Sequence, residues 1–222
     1  SGVILPTVTK QIYEGATPRE LEQTVVTFGR IQWMVLGAVL AGFICCGKEF
    51  FELWLGKGFE DCWDLSLILM IPVTFPLIVN VCLAILKAKN LLKFRTVSLA
   101  YSAVLNVILT VIGTRYWGYW AAAVGTAIAT VIGSVVSMNV YYRKKLGIHI
   151  IKVYLKVSGK ITPCILLAVV PCLILNRYLY GTWLALGVKV VAFAVVYGIS
   201  LMLFGFSDAE KKQLFGRKRR IL

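Results

Sequence analysis

Six long apolar runs, separated by short charged stretches, dominate this sequence of 222 residues. A helix needs about 20 residues to cross the hydrocarbon core of a bilayer, and each run has that length or nearly so. Only 15% of the residues are charged and 59% are hydrophobic, too little charged surface for a soluble domain. We predict an all-α membrane protein, a bundle of about six transmembrane helices near residues 31–47, 65–86, 97–114, 121–142, 161–176 and 183–204.

Positive charge is divided unequally between the two sets of loops. With the N-terminus inside, one face receives 19 of the 24 Lys and Arg residues and the other receives four, while Lys189 lies within the last run. Cytoplasmic loops retain such cations during insertion, so the pattern predicts an N-in/C-in orientation. The net charge of +14 does not indicate nucleic acid as a partner, because the cations cluster between apolar runs that require membrane lipids.

The predicted organisation has five segments. They are a cytoplasmic linker and helix start (1–30), a four-helix part (31–142), a basic amphipathic cytoplasmic segment (143–160), the last two transmembrane helices (161–204) and a basic cytoplasmic tail (205–222). Thr17, Pro18 and Glu20 have the spacing of a capping box, which predicts a helix that begins near residue 18 as a charged stub. Ser207 and Glu210 predict a short surface helix in the tail.

The segment 143–160 has two interpretations. Lys145, His149, Lys152, Lys156 and Lys160 recur at helical spacing, which is typical of an amphipathic helix on the inner leaflet. A solvated basic loop has the same composition and is the alternative.

The third predicted span carries a polar residue every fourth position, a stripe centred on Asn106. Such a stripe lines a water-accessible cavity, or it forms hydrogen bonds to neighbouring helices. The fourth span has small residues at the same interval, including Gly125, Ala129 and Gly133, which predicts a helix-packing face. The stripe consists of Ser98, Ser102, Asn106, Thr110 and Thr114, and the small-residue face runs Ala121, Gly125, Ala129, Gly133 and Ser137.

The second span places Pro72, Pro76 and Asn80 on one face. Each proline removes a backbone hydrogen bond and predicts a kink, and bent helices are frequent in transporters. Lys189, about two turns from the outer end of the last span, either snorkels to the headgroups or faces a cavity.

No catalytic residues and no metal ligands are predicted. All ten acids, Glu49 and Glu52 among them, are expected in loops or terminal stretches, and the single histidine has no partner. The six cysteines show no CxxC or Cys/His spacing, so neither a zinc site nor a disulfide framework is expected. The chain is therefore not expected to be an enzyme or to need a cofactor.

The order of these features resembles a known family. The segments that carry the resemblance are, in order, LPTVTKQIYEGATPRELEQTVVTFGR, the proline-bearing span, LAILKAKNLLKFRTVSLAYSAVLNVIL, GYWAAAVGTAIATVIG and YYRKKLGI. Together they resemble the C-terminal half of Wzx-type polysaccharide flippases in the multidrug/oligosaccharidyl-lipid/polysaccharide exporter superfamily. The similarity covers roughly residues 1–150.

This resemblance implies helices nine to fourteen of a fourteen-helix, two-lobe flippase, with an N-terminal lobe outside the present chain as its partner. The substrate class is an undecaprenyl-pyrophosphate-linked oligosaccharide, moved across the bacterial inner (plasma) membrane by alternating access. Arg30, Asn80, Asn106 and Lys189 are then the candidates for a cationic substrate cavity.

Two alternatives stay open. One is a multidrug extruder of the same superfamily, which usually has twelve helices and often an intramembrane acid. The other is a non-transporting membrane protein of envelope polysaccharide synthesis, either an enzyme that uses loop acids such as Asp61 and Asp64 or a purely structural subunit.

Overall fold

The structure is a computed structural model that describes residues 4–206, in which every regular element is a helix. Six of the helical stretches are long and apolar enough to cross a membrane, as the sequence predicted. The elements are α1 (Ile4–Tyr13), α2 (Pro18–Leu55), α3 (Asp61–Ile78), α4 (Val81–Ala88), α5 (Lys93–Trp117), α6 (Trp120–Thr130), a π-helical segment (Val131–Ser137), α7 (Met138–Leu146), α8 (Ile150–Tyr178), α9 (Trp183–Ser200) and a second π-helical segment (Leu201–Gly205).

The chain divides into two compact units. Within the described range, unit 1 comprises residues 4–36 and 57–158, and unit 2 comprises residues 37–56 and 159–206. The predicted surface helix around Ser207 and Glu210 and most of the tail 205–222 lie outside the described residues.

Helix α2 begins where the capping box predicted. The Thr17 amide donates to Glu20 Oε2 at 2.7 Å, and the Glu20 amide donates to Thr17 Oγ1 at 3.4 Å, so each residue satisfies the other's backbone group. The opening turns do not project as a stub, however, because Leu21 and Val25 are at most 1% exposed. Their apolar spacing over one turn places them in the core of unit 1, together with Val8 of α1.

The core of unit 1 forms around the short helix α4. Val81, Cys82, Ile85 and Leu86 are completely buried and pack with residues of α1, α2, α7 and α8. The predicted second span, 65–86, is therefore two helices: α3 ends at Ile78, two residues after Pro76, and α4 starts at Val81.

The predicted cytoplasmic segment 143–160 is not a separate element. Its first part is the last turn of α7, which ends at Leu146 and is followed by Gly147 in a left-handed conformation with φ +69°. Its second part is the start of α8, which continues without interruption to Tyr178. Glycine at this position permits the reversal that leads from α7 into α8.

The small-residue face of α6 continues through the π-helical segment with one change of spacing. Buried positions recur at Ala121, Gly125, Ala129 and Gly133, and the next buried position is Met138, not the predicted Ser137. Ser137 Oγ donates to Ile132 O, five residues back, at 2.8 Å. The wider turn accommodates one additional residue.

A buried ion pair and a broken helix as candidate functional sites

The turn between α8 and α9 lies beside a buried pair of charged residues in unit 2. Gly181 has φ +83°, a conformation that favours glycine, and Thr182 follows in an extended conformation as the N-cap of α9. The Thr182 hydroxyl accepts from the Ala185 amide at 3.2 Å, which satisfies one free N–H of the first turn. The sequence Gly-Thr therefore reverses the chain and directs α9 back.

Lys189, one and a half turns into α9, is completely buried. Its Nζ donates to Glu49 Oε2 of α2 and to Asn176 Oδ1 of α8, the latter at 2.8 Å. The ring centroid of Tyr180 lies 5.2 Å from Nζ, within the range of a cation–π contact. In this structure the ammonium group lies inside the protein, where the Glu49 carboxylate neutralises its charge.

Glu49 is the acid that the sequence analysis placed in a loop. Helix α2 continues past it to Leu55, and the side chain is only 2% exposed. Its second carboxylate oxygen, Oε1, accepts from the Gly181 amide at 2.9 Å. One turn further along α2, Glu52 accepts from the Tyr180 hydroxyl at 2.7 Å. Both acids near the C-terminal end of α2 thus bind the α8–α9 turn.

Asn176 completes the network. Its Nδ2 donates to the Cys45 carbonyl of α2 at 3.0 Å while its Oδ1 accepts from Lys189. Beside it, the sulfur atoms of Cys46 and Cys172 lie 3.4 Å apart in an apolar cluster that includes Leu186. The ion pair consequently connects three helices in surroundings that exclude water, where each charge depends on its partner.

The break between α3 and α4 is the second candidate site, within unit 1. A proline at position 76 cannot donate a backbone hydrogen bond, and the helix ends at Ile78. Side chains take up the carbonyls near this end: Tyr154 Oη donates to Phe75 O at 3.1 Å, and the Gln32 amide nitrogen, oriented toward them, donates to Leu77 O at 2.8 Å and Ile78 O at 3.0 Å. The break is therefore satisfied by protein groups, as an apolar environment requires.

Gly29 explains why α2 approaches this break so closely. A Cβ at this position would lie 3.0 Å from Ile78 O and 3.1 Å from Val157 Cγ2. The neighbouring Arg30, a predicted cavity residue, is 8% exposed. Asn80, the second predicted cavity residue, lies in the break itself with an exposed side chain.

The polar stripe of α5 binds α6 and the π-helical segment. Ser98 Oγ donates to Gly133 O and Ser102 Oγ donates to Ala129 O, both at 2.7 Å. Asn106, the third predicted cavity residue, donates through Nδ2 to Thr126 Oγ1 at 2.9 Å and accepts from Thr110 at 3.2 Å. Of the two interpretations of the stripe, these contacts match hydrogen bonding between helices.

The small residues of the facing helix make this contact possible. A Cβ on Gly133 would lie 2.5 Å from Ser102 Cβ, and one on Gly125 would lie 3.2 Å from Leu109 Cβ. Either position occupied by a larger residue would push the two helices apart, so the packing face and the polar stripe depend on each other.

At the opposite end of this helix pair, Tyr119 Oη donates to Asp61 Oδ2 at 2.6 Å. The hydrogen bond raises the pKa of Tyr119, because ionising the phenol would place a second negative charge beside the carboxylate. Asp61 therefore connects the start of α3 to the α5–α6 turn.

Among the four predicted cavity residues, Arg30, Asn80 and Asn106 belong to unit 1 and Lys189 to unit 2. The partners of Lys189, Glu49 and Asn176, were not identified from the sequence. A usable signal was present, since the apolar run FFELWL continues beyond Glu49 and indicates that the helix does too.

Comparison with known proteins yields no match: no family model, no curated protein and no solved structure is significantly similar to the chain.

Proposed function

We propose that the chain is part of a membrane transporter, an N-in/C-in portion of a flippase that moves undecaprenyl-pyrophosphate-linked oligosaccharides across the bacterial inner membrane by alternating access. The observation that carries the proposal is the buried Glu49–Lys189 pair. Ionisable residues in membrane-spanning helices are costly and typically mark the pathway of a substrate or ion.

The pair suits an anionic substrate for a specific chemical reason. Lys189 donates to a carboxylate in the described state, and a pyrophosphate is an oxyanion to which the same ammonium group would donate in its place. A state in which α2 and α9 separate would expose a cation without requiring a new charged residue. Arg30, Asn80 and Asn106 stay candidates for polar contacts along the substrate path.

The multidrug extruder gains support from one observation. Its family often uses an intramembrane acid, and Glu49 is a buried acid in an apolar helix, contrary to the expectation that all acids lie in loops. The non-transporting alternative is favoured by the α5–α6 hydrogen bonds, which use the polar stripe for packing.

A charge-neutral double variant distinguishes these functions from a purely structural role. Glu49→Gln with Lys189→Met removes both charges together, so no unpaired ion remains buried and the bundle should still assemble. The complete gene, wild type or variant, is expressed in a flippase-deficient strain, and surface polysaccharide and membrane protein level are measured. We expect rescue by the wild type and its loss in the double variant at an unchanged protein level.

The matched control removes the same two charges from the exposed loop, as Lys57→Gln with Glu60→Gln, and should rescue like the wild type. Rescue by the Glu49/Lys189 double variant would make the pair structural. Failure of well-expressed wild type to restore polysaccharide, combined with increased resistance to cationic drugs, would favour the extruder.

A further inference from the structure

A basic groove of about 930 Å³ opens on the surface of unit 1, where the starts of α2 and α8 meet the α7–α8 turn. Among the described residues, its charged lining consists of three cations, Arg19, Lys152 and Lys156, and a single acid, Glu22, with His149 beside them. A volume of this size lies within the range of small-molecule sites. The groove therefore offers an excess of positive charge in a concave surface.

The sequence builds the groove from two local features. Gly147, in its left-handed conformation, brings the α7–α8 turn against α2, and a Cβ on it would lie 3.5 Å from Pro18 Cβ. The Thr17–Glu20 capping box already occupies backbone groups at the start of α2. The side-chain cations, and not the helix terminus, are thus what the groove presents to a ligand.

One wall of the groove is fixed by an ion pair. Lys156 Nζ lies 2.7 Å from Glu22 Oε1, and the glutamate side chain is only 16% exposed. This pair leaves Arg19 and Lys152, both exposed, as the cations free of the acid's direct contact. An anion that enters the groove would meet these two residues first.

The chemistry beside the cations indicates which anion fits. Ile151 and Leu155, one turn apart on α8, are 75% and 67% exposed, and each is adjacent in sequence to a lysine of the groove. A free anion would leave this apolar strip in water, whereas an amphiphile covers the strip with its chains while its headgroup meets the cations. Exposed apolar residues next to lysines are typical of a helix at the membrane interface.

We propose that this groove binds the headgroup of an acidic phospholipid, with the phosphate between Arg19 and Lys152 and the acyl chains against Ile151 and Leu155. The proposal does not rest on the transport function, because it concerns the lipid around the protein and not the transported molecule. It uses a different unit of the chain from the Glu49–Lys189 pair, so either proposal can fail without the other.

The test is lipid binding to the full chain purified in detergent, followed by native mass spectrometry. Dioleoylphosphatidylglycerol is titrated against dioleoylphosphatidylcholine, which has the same acyl chains but no net charge. We expect preferential retention of phosphatidylglycerol. Since each cation near an anionic surface contributes about 1 kcal/mol, Arg19→Gln with Lys152→Gln should weaken that binding about 30-fold.

Two further variants make the result specific. Glu22→Gln removes the acid and releases Lys156, so binding should strengthen about 5-fold, a gain that misfolding would not produce. Lys87→Gln with Lys89→Gln removes two exposed cations outside the groove and should leave the affinity within twofold. An equal loss in both double variants would overturn the proposal in favour of general surface charge.

The last part of the test is a competition between soluble glycerol phosphate and phosphatidylglycerol. If glycerol phosphate displaced phosphatidylglycerol at equal concentration, the groove would bind a free anion and the role of Ile151 and Leu155 would be wrong. Equal retention of the two lipids by the wild type would likewise overturn the proposal.

Discussion

The α5–α6 contact and the Glu49–Lys189 cluster bury polar groups in opposite ways. Along α5, neutral hydroxyl and amide groups bond to the facing helix one turn after another, so each contributes a small share. In unit 2, two full charges meet at one point and satisfy each other. The comparison indicates that polarity spread along a helix tolerates the loss of one member, whereas concentrated charge does not.

The largest effect should come from breaking the ion pair on one side. Lys189→Met leaves the Glu49 carboxylate buried, with the Gly181 amide still bonded to it but no cation beside it, and an unpaired buried charge costs about 3–5 kcal/mol. We expect that decrease in the free energy of unfolding in detergent. Glu49→Gln with Lys189→Met should lie within about 1 kcal/mol of wild type. Equal losses in the single and double variants would contradict concentrated charge as the cause.

The next effect should come from Gly133→Ala. The new methyl carbon would clash with Ser102, and overpacking of this kind costs about 1–3 kcal/mol. The measurement is again the free energy of unfolding. Gly187→Ala is the matched control, because no heavy atom of the described residues lies within 4 Å of a Cβ there, apart from its own chain neighbours and helix backbone. A loss at Gly187 as large as that at Gly133 would rule out helix contact as the explanation.

A single stripe residue should matter less. Asn106→Leu removes the hydrogen bonds to Thr126 and Thr110, and interhelical bonds of this type contribute about 0.6 kcal/mol on average. Thr114→Val serves as the control, since the Thr114 hydroxyl donates to Val111 O of its own helix. A loss above about 3 kcal/mol for Asn106→Leu would show that the stripe acts as one unit, against the distributed arrangement.

The smallest effect should come from Tyr180→Phe. This change removes the exposed hydrogen bond to Glu52 and keeps the ring near Lys189, so about 0.5 kcal/mol is expected. Tyr180→Leu, which also removes the ring, should lose more in the same unfolding measurement. If both changes had the same effect, the ring would contribute nothing to the cluster.

Local patterns predicted much of this fold. The capping box at Thr17 located the start of α2, and the four-residue spacing of small side chains predicted a packing face on α6, but not that α5 packs against it. Both patterns are local in sequence: the capping box lies within one helical turn, and the small side chains repeat along a single helix. The apolar runs identified all six long helices for the same reason.

The ion pair could not be predicted in this way. Glu49 raises the apparent cost of membrane insertion, and its charged partner 140 positions later reduces that cost. A single sequence shows the two charges but not the contact between them. The prolines predicted a kink within one span, and the structure has a complete break between α3 and α4 instead. The groups that bind the carbonyls near the end of α3, Gln32 and Tyr154, come from helices distant in sequence, so the sequence did not show them.

The π-helical segment Val131–Ser137 shows that the number of residues in a helix helps to set the direction in which later side chains point. Each residue of an α-helix rotates the chain by about 100°, so an uncompensated extra residue would turn everything beyond it by that angle. The wider turn absorbs this rotation, and Met138, Tyr142 and Leu146 stay in phase with the buried positions of α6. Insertion of a further residue without a second wider turn would rotate Arg143, Lys144 and Lys145 by about 100° from their present heading. The direction of that basic cluster is therefore encoded by the number of residues before it as well as by their identity.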